Sequence, residues 1–198
     1  MYKKFIKRLI DIILSALGIF FLGFPMIIIA IIIKCEDPGP ALFKQKRVGK
    51  DKTHFNLLKF RSMRLDTPHD TPTHLLENPE QYILKSGKFL RKSSLDELPQ
   101  LFNIFLGQMS IVGPRPALWN QYDLIEERDK YHANDVLPGL TGWAQINGRD
   151  ELEIPVKAKF DGEYVERLSL GFDIKCFFMT IGKVFKHEGV VEGGTGSK

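Results

Sequence analysis

The stretch IILSALGIFFLGFPMIIIAIII, from Ile12 to Ile33, decides the fold because it runs for 22 residues without a charged side chain. At about 1.5 Å of rise per residue, a helix of this length reaches roughly 33 Å, close to the thickness of the hydrocarbon core of a bilayer. The simplest interpretation is a single transmembrane anchor. A signal peptide fits less well, because the apolar run is too long and charged residues follow it directly in place of a small-residue cleavage site.

Two features favour a re-entrant hairpin over a straight span. Pro25 lies near the middle of the run, where proline removes a helical hydrogen bond and bends the helix. Lysine and arginine flank both ends of the run, and they prefer the cytoplasmic side of a membrane. A helix that enters, bends at Pro25 and returns keeps both basic groups on that side. The groups are Lys3, Lys4, Lys7 and Arg8 before the run, and Lys34, Lys44, Lys46 and Arg47 after it.

A carboxylate lies just before the run. Asp11 follows Lys7 and Arg8 by four and three residues, so the three side chains share one helical face. We expect Asp11 to pair with these cations, which lowers the cost of placing a carboxylate near the lipid headgroups. A solvated surface salt bridge is the alternative. Arg8, Asp11 and Pro25 are therefore the predicted membrane residues.

Outside the apolar run the composition is that of an ordinary globular protein. The chain has 198 residues, 43% hydrophobic and 26% charged, which leaves about 165 residues for a single core. Residues 1–64 carry 13 Lys/Arg against 4 Asp/Glu, whereas residues 65–198 carry 15 against 20. The two cysteines, Cys35 and Cys176, exclude a disulfide-stapled miniprotein and show no zinc spacing. Positive charge gathers around the membrane segment without a stacking-aromatic motif, so no nucleic-acid partner is expected.

The whole pattern predicts an α+β protein, mainly helical with a small β element and amphipathic interfacial helices. Residues 1–36 form the predicted re-entrant membrane helix, residues 37–188 a cytoplasmic domain that carries the candidate site, and residues 189–198 a flexible tail. Short strands are expected at 41–43, 48–52 and 55–60, helices at 81–92, 97–106, 120–131 and 172–186, and loops at 66–79 and 137–150.

The last predicted helix is amphipathic. Its apolar face consists of Ile174, Phe177, Phe178, Ile181 and Phe185, and its lysines lie elsewhere. A helix on a membrane surface and a helix packed into the core explain this stripe equally well.

The segment RKSSLDELPQ, which begins at Arg91, is the strongest candidate for chemistry. Ser94 and Glu97 fit a capping box, in which case the acids only complement a helix macrodipole. With Asp96 as the cap, Pro99 instead falls in the first helical turn, where its missing N–H costs little. This second register places Asp96 and Glu97 at the N-terminus of the helix. Adjacent carboxylates beside a basic pair can seat a divalent cation and a diphosphate.

Further cations can converge on the same ligand. Lys59 and Arg61 share one face of a predicted strand. The tripeptide Pro114-Arg115-Pro116 is a stiff loop that fixes the direction of a guanidinium suited to bidentate phosphate contact. The glycine-rich segment 139–149 offers backbone amides to an anion and ends in a further guanidinium, Arg149. Together these residues predict a polyanion site beside a membrane.

Six motifs follow one another along nearly the whole chain, from about residue 3 to residue 188. They are KRLID (Lys7–Asp11), DPGP (Asp37–Pro40), KFRSM (Lys59–Met63), SLDELPQL (Ser94–Leu101), VGPRP (Val112–Pro116) and PGLTGWAQINGR (Pro138–Arg149). In this order they resemble the bacterial sugar transferase family, and more narrowly its small members, the monotopic phosphoglycosyl transferases. One departure is Phe24-Pro25, where the family commonly bends its membrane helix at Ser-Pro, so a hydroxyl that can satisfy a freed carbonyl is missing here.

The resemblance implies that a UDP-sugar donates its sugar 1-phosphate to polyprenyl (undecaprenyl) phosphate with release of UMP, at the cytoplasmic face of the bacterial inner membrane. It implies that Asp96 is the nucleophile and forms a covalent aspartyl-phosphosugar. Glu97 would hold Mg²⁺ together with Asp96 or assist the second step. Lys59, Arg91 and Arg149 are then candidates for binding the phosphates.

Specificity and partners follow from the same resemblance. Arg115, between Pro114 and Pro116, is the candidate for the nucleotide, and residues 116–122 look closest to members that handle N-acetylated 6-deoxy amino sugars for capsule or glycan building. The implied partners are the UDP-sugar, polyprenyl phosphate and membrane lipid. Two alternatives stay open: a membrane-bound glycosyltransferase that releases UDP, and a non-catalytic lipid-binding scaffold, which leaves the Asp96 register unexplained.

Overall fold

The computed structural model describes residues 2–67, 79–148 and 152–186. It is mostly helical, 58% by residue, which confirms the predicted mainly helical class with small sheets. The helices are α1 (Lys7–Glu36), α2 (Lys85–Lys92), α3 (Gln100–Phe105), α4 (Tyr122–Asp129), α5 (Trp143–Ile146), α6 (Ile154–Arg167) and α7 (Leu170–Lys186). The strands are β1 (Leu42–Val48), β2 (His54–Phe60), β3 (Ser110–Val112) and β4 (Gly139–Thr141). The predicted tail lies outside the described residues.

The apolar run forms one continuous helix. α1 spans 30 residues with Pro25 inside it, so the structure does not confirm a helix break and the re-entrant hairpin stays a prediction. Within the described ranges, α1 is the one helix that is long and apolar enough to cross a membrane by length and composition. Its outward face carries large exposed apolar side chains. The most exposed are Phe20, Phe21, Phe24 and Ile27.

The opposite face of α1 packs against the rest of the protein along the length of the helix. Asp11 and Ser15 are buried near its start, and Met26 and Ile33 are buried toward its end. Met26 and Ile33 belong to a hydrophobic cluster built with residues from the body. Their buried partners are Phe60, Leu84 and Leu90. The long helix and the body therefore share a core.

Asp11 forms no ion pair within 4.0 Å with Lys7 or Arg8, so the expected close pairing is wrong, although the charge of Lys7 still acts on Asp11. Asp11 instead accepts a hydrogen bond from the backbone N–H of Ile111 at 3.0 Å. Lys7 forms an ion pair with Asp173 at 2.7 Å. The Arg8 guanidinium donates to two carbonyl groups at the end of α3, at 2.6 and 2.8 Å. These distant partners prevail because a buried polar group left unpaired costs about 1–3 kcal/mol, whereas a local pair on a helix surface contributes only about 0.2–0.5 kcal/mol.

β1 and β2 form an antiparallel hairpin that follows α1. A strand was expected over residues 48–52, but residues Lys50–Lys52 form a 3-10 turn. Asp51 and Lys52 have positive φ angles of 53° and 58°, which a strand does not allow. The register of the hairpin places Phe43 on β1 opposite Lys59 on β2.

β3 and β4 form a two-stranded parallel sheet in the second half of the chain, and α5, α6 and α7 pack around it. The expected loop over residues 137–150 is wrong in part, because β4 and α5 lie inside it. The sequence pattern also did not predict α6. Small and polar residues form much of its buried face, so no apolar period is visible. These residues are Ala158, Asp161, Gly162 and Tyr164.

A buried ion pair joins α6 to α4. Arg128 donates to one carboxylate oxygen of Asp161 from Nε at 2.8 Å and from Nη2 at 2.6 Å. The side chains are 4% and 1% exposed. Burial raises the pKa of Asp161, and the guanidinium of Arg128 counteracts this shift. The pair therefore fixes the two helices but depends on both partners being present.

α7 presents its apolar stripe to the outside. The exposed members of the stripe are Ile174, Phe177, Phe178 and Ile181. Phe172 and Cys176 pack into the core instead, beside Tyr164 and Val112. The core explanation of the stripe is therefore excluded for these side chains, and the face is available to a membrane surface.

Candidate active site

A tight turn between α2 and α3 carries the two candidate carboxylates. Residues Leu95–Glu97 form a 3-10 turn, and Pro99 occupies the N-cap position of α3. Both expected capping registers are wrong, because Ser94 makes no side-chain cap hydrogen bond and Asp96 precedes the cap of α3. Ser94 has a φ of 57°, a left-handed conformation that costs a non-glycine residue roughly 1–2 kcal/mol. The strained residue lies two positions before the buried Asp96, and backbone strain of this kind is concentrated at functional sites.

Asp96 is a buried carboxylate, with 8% of the residue exposed. It accepts no hydrogen bond from the residues that the structure describes, and its Oδ2 lies 3.8 Å from Lys59 Nζ. Burial raises its pKa above the usual range, and the charge of Glu97 adds to the rise, whereas Lys59, Arg91 and Arg115 lower the pKa. Asp96 is therefore desolvated, surrounded by cations and free to offer its lone pairs to a ligand.

Glu97 joins two cations from distant parts of the chain. Its Oε1 accepts hydrogen bonds from Lys59 Nζ at 2.8 Å and from Arg115 Nη2 at 3.1 Å. The side chains of Lys59, Glu97 and Arg115 are only 18%, 12% and 24% exposed. Charge-assisted bonds of this kind hold geometry better than exposed ion pairs. Glu97 thus aims Lys59 and Arg115 toward the neighbourhood of Asp96.

Three glycines hold the loop that carries Arg115. Gly113 precedes Pro114 directly and lies against Gly139 and Gly142. A Cβ on Gly139 would lie 2.1 Å from the Gly113 nitrogen, and one on Gly142 would lie 2.0 Å from the Gly113 carbonyl oxygen. The N–H of Gly139 donates to the carbonyl of Pro114 at 2.8 Å. This amide supports the loop, so it does not serve as the anion-binding amide that the glycine-rich segment was expected to supply.

Arg47 holds the other side of the same loop. Its Nη1 donates to the carbonyl of Pro116 at 2.9 Å, and its Nε and Nη2 contact Oε1 of Gln45. The backbone N–H of Val48 adds a bond to the carbonyl of Ala117 at 3.0 Å. From the sequence, Arg47 was expected only as one of the basic residues near the membrane. No local pattern reveals its role, because its partner is 69 positions away.

Asn103 fixes α3 against β2. Its Oδ1 accepts from the Leu58 N–H at 2.9 Å, and its Nδ2 donates to the carbonyl of Asn56 at 2.8 Å and to Gln108 Oε1 at 2.7 Å. These bonds set Lys59 beside the carboxylate turn. Sequence reasoning missed this residue, although a single amide within the apolar run LFNIF is a signal, since a buried polar side chain needs partners.

Arg61 lies apart from this cluster. It is 4% exposed, its Nη1 forms an ion pair with the Asp37 carboxylate at 3.0 Å, and its Nη2 donates to the Asp37 carbonyl. β2 ends at Phe60, so the strand alternation that was expected to align Lys59 with Arg61 stops between them. Arg61 therefore ties down the turn after α1. Arg149 lies outside the described residues.

The two carboxylates fit Mg²⁺ only together with a phosphate-bearing ligand. In proteins Mg²⁺ is commonly bound through one or two carboxylates plus substrate phosphates and water. Asp96 retains unused lone pairs for such a contact. Across the described ranges, no group of three or more His, Cys, Asp or Glu side chains is placed to hold a metal by itself. The donor set thus suits an ion that arrives with a diphosphate.

The geometry defines a class of site. A buried carboxylate and three cations suit a phosphate-bearing ligand, and the apolar helix on the same body points to association with a membrane. The chain matches the family described as bacterial sugar transferase over residues 2–187, and it belongs to that family.

Curated relatives agree with this assignment. The UDP-glucose:undecaprenyl-phosphate glucose-1-phosphate transferase of Escherichia coli (strain K12) is 42% identical over 192 residues, 92% of this chain and 41% of that protein. The UDP-N-acetylgalactosamine-undecaprenyl-phosphate N-acetylgalactosaminephosphotransferase of Aeromonas hydrophila is 35% identical over 182 residues, 89% and 43% of the two chains. The uncharacterized sugar transferase EpsL of Bacillus subtilis (strain 168) is 38% identical over 188 residues, 93% and 90% of the two chains. The chain thus spans about two fifths of the first two relatives and nearly all of the third.

Proposed function

We propose that the protein is a phosphoglycosyl transferase that moves a sugar 1-phosphate from a UDP-sugar to polyprenyl (undecaprenyl) phosphate and releases UMP. The observation that carries the proposal is the buried Asp96 carboxylate. It accepts no hydrogen bond from the described residues and lies among Lys59, Arg91 and Arg115. The names of the relatives from Escherichia coli and Aeromonas hydrophila support this general reaction.

The proposed chemistry has two displacement steps at one phosphorus atom. First, an oxygen of Asp96 attacks the phosphorus that bears the sugar, a bond to Asp96 forms, and UMP leaves with the bridging oxygen. Second, an oxygen of polyprenyl phosphate attacks the same phosphorus and the Asp96 carboxylate leaves, which gives the lipid diphosphate sugar. Lys59 and Arg115 stabilise the negative charge on the phosphoryl oxygens in both steps.

The remaining site residues have supporting roles in this proposal. Glu97 orients Lys59 and Arg115, and Arg91 and Arg149 bind phosphate. The proline-flanked loop that carries Arg115 contacts the nucleotide. Asp96 and Glu97 would hold Mg²⁺ together with the donor, and the ion would supply neutralisation of the diphosphate charge.

We place this site where the membrane meets the cytoplasm. Both ends of α1 contact the same body: Asp11 accepts from the Ile111 N–H at 3.0 Å, and Glu36 accepts from the N–H groups of Lys85 and Ser86 at 2.5 and 3.0 Å. A straight span would carry Glu36 about 38 Å from Asp11, across the bilayer, and the body that contacts both ends would then have to lie in the lipid beside α1. Contacts at both ends therefore support a helix that does not cross to the far side of the membrane.

The topology can be tested by labelling. Single cysteine tags are placed before Phe5 and near residue 190 in a Cys35→Ser chain, which lacks the exposed native thiol, and are treated with a membrane-impermeant thiol reagent in intact and in inverted membrane vesicles. A re-entrant helix makes both tags react in the same vesicle orientation. Reaction in opposite orientations would establish a straight span.

The proposed donor is a UDP-linked N-acetylated 6-deoxy amino sugar, and the proposed role is the first membrane step of capsule, O-antigen or glycoconjugate biosynthesis. The proposal rests on the resemblance of residues 116–122. The relatives carry names for different sugars, glucose and N-acetylgalactosamine, so the donor has to be measured. A panel of UDP-sugars assayed for UMP release tests this proposal. A higher kcat/KM for a UDP-hexose such as UDP-glucose than for the N-acetylated 6-deoxy amino sugar donors would contradict it.

Intact-protein mass spectrometry tests the covalent step. Incubated with its UDP-sugar and no lipid acceptor, the protein gains the mass of one sugar phosphate and releases UMP, and added polyprenyl phosphate removes the adduct. Asp96→Asn abolishes both, whereas the exposed control Asp51→Asn retains them. An adduct on Asp96→Asn would exclude this nucleophile. Release of UDP would favour the glycosyltransferase alternative, and no nucleotide release from any donor would favour the scaffold.

A further inference from the structure

A cluster of one indole ring and two cations lies outside the candidate active site, where α5, α6 and α7 meet. The guanidinium carbon of Arg167 lies 4.3 Å from the ring centre of Phe172 and 5.6 Å from that of Trp143. Lys175 Nζ lies 5.4 Å from the ring centre of Trp143. The Trp143 indole N–H donates to Glu163 at 2.9 Å, which fixes the ring. Two positive charges are thus held in place around one aromatic side chain.

Neither cation forms a direct ion pair with a carboxylate of the described residues, although Glu163 is hydrogen-bonded to the same indole ring. Within the described ranges neither Arg167 nor Lys175 has an acidic oxygen within 4.0 Å, although both are exposed. Other exposed cations do: Lys52 pairs with Asp129 at 2.8 Å and Lys130 with Glu127 at 2.5 Å. An aromatic ring positions a cation but leaves its charge available, so the cluster is suited to bind an anion.

The cluster borders the exposed apolar face of α7. Lys175 follows Ile174, which is 48% exposed, and precedes Phe178, 65% exposed, by three residues. Residues three apart are neighbours on a helix surface. Leu170, 44% exposed, extends this face toward Arg167. Apolar side chains flanked by tryptophan and basic residues are the arrangement found at the boundary between acyl chains and headgroups.

We infer that Arg167 and Lys175 bind the phosphate of an anionic phospholipid headgroup while the apolar face of α7 enters the acyl boundary. The inference rests on the membrane placement proposed above and adds a lipid preference to it. Phospholipid of the bilayer fits better than a soluble anion, because Lys175 lies among the lipid-facing side chains of α7 and Arg167, at the end of α6, lies beside the start of the same face. The site is separate from the cations Lys59, Arg91 and Arg115 that act on Asp96.

Fluorescence quenching by brominated lipids tests the inference on the full chain. The protein has two tryptophans, so Trp119→Phe leaves Trp143 as the only one. This variant is reconstituted in bilayers that contain equal mole fractions of brominated phosphatidylglycerol or brominated phosphatidylcholine. Trp143 is quenched by both lipids, and more strongly by phosphatidylglycerol. Removing charge with Arg167→Gln and Lys175→Gln lowers the relative association constant for phosphatidylglycerol roughly fivefold for each residue at low salt.

Matched variants separate charge from folding. Exchanging the two cations, with Arg167→Lys and Lys175→Arg, retains the preference, and so does the pair Lys52→Gln and Lys130→Gln, which removes the same charge elsewhere. Equal quenching by both lipids, or a preference that survives the two glutamine substitutions, would refute the lipid site. Loss of the preference in the exchanged variant would refute it too, because packing would then be the cause. Absence of quenching by either lipid would instead refute the membrane placement on which the site depends.

Discussion

Replacing Gly142 with alanine tests how firmly the Arg115 loop must be held. The new Cβ would lie 2.0 Å from the carbonyl oxygen of Gly113, whereas real Cβ atoms stay at least 3.0 Å from such neighbours. The loop must therefore move by about 1 Å. Arg115 Nη2 already lies 3.1 Å from Glu97 Oε1, so a shift of that size breaks the hydrogen bond. A misplacement of about 1 Å in a positioning group can lower the rate roughly 100-fold.

The assay is UMP release in detergent at varied UDP-sugar concentration, with thermal unfolding measured on the same samples. We expect kcat/KM of Gly142→Ala to fall roughly 100-fold. Overpacking costs about 1–3 kcal/mol, which lowers Tm by roughly 2–12 °C in a chain of this length. The control is Gly171→Ala at the start of α7, where an added Cβ meets nothing within 4 Å. It should leave kcat/KM and Tm unchanged.

Assays run well below the Tm of each variant separate lost positioning from lost folding. A Gly142→Ala protein that is folded and keeps kcat/KM within about twofold of the parent would refute the reasoning. So would a large loss in Gly171→Ala, because the close contact with Gly113 would then not be the cause.

Three further changes test other parts of the structure. Asp161→Asn leaves a buried guanidinium unpaired at a cost of about 3–5 kcal/mol, so Tm should fall by roughly 10 °C in a melting experiment; a fall below about 2 °C would contradict a structural role. Lys59→Met removes a cation that lowers the pKa of Asp96, so the pKa rises further and the acid limb of the pH profile of adduct formation moves to higher pH; an unmoved or lowered limb would contradict this. Burial raises the pKa of Cys176 to about 11, so N-ethylmaleimide at pH 8 should label the exposed Cys35 alone in the folded protein; labelling of both thiols would contradict this.

Stability should also depend on pH through Asp96. Its folded-state pKa is raised, first by burial, so ionising it costs more in the folded protein than in the unfolded chain. The folded state therefore gains stability at low pH and loses it as the pH rises through the raised pKa. This cost is the expected consequence of holding a carboxylate away from water.

Local patterns predicted much of the fold. The length of the apolar run identified α1, and turn residues together with apolar periodicity located the hairpin and parts of α2, α3, α4 and α7. α6 was not predicted because its buried face contains Asp161 and Gly162, which do not contribute to an apolar periodicity. The 3-10 turn at Leu95–Glu97 was not predicted because the left-handed conformation of Ser94 is imposed by its surroundings and not by the conformational preference of serine.

The candidate site shows the same division. The motif residues Asp96, Glu97 and Arg115 could be selected from the sequence, and the structure brings them together with Lys59. The sequence could not show which of these residues contact each other. Glu97 accepts a hydrogen bond from Lys59, which lies 38 positions away in the sequence, and one from Arg115, which lies 18 positions away. The expectation that Arg61 lies beside Lys59 failed for a related reason. Its ion-pair partner Asp37 lies in the turn after α1, and the spacing of residues in the sequence does not show this contact.

The core that α1 shares with the body has a consequence for how the protein is made. Met26 and Ile33 fill the same cluster as Phe60, Leu84 and Leu90, and the cluster lies directly under the turn that presents Asp96, since Leu95 and Leu98 pack against it. A truncated chain without α1 would leave a cavity beneath this turn, where Met26 and Ile33 now pack. The turn that presents Asp96 is thus complete only when α1 is packed against the body, so docking of this helix and assembly of the candidate site depend on each other.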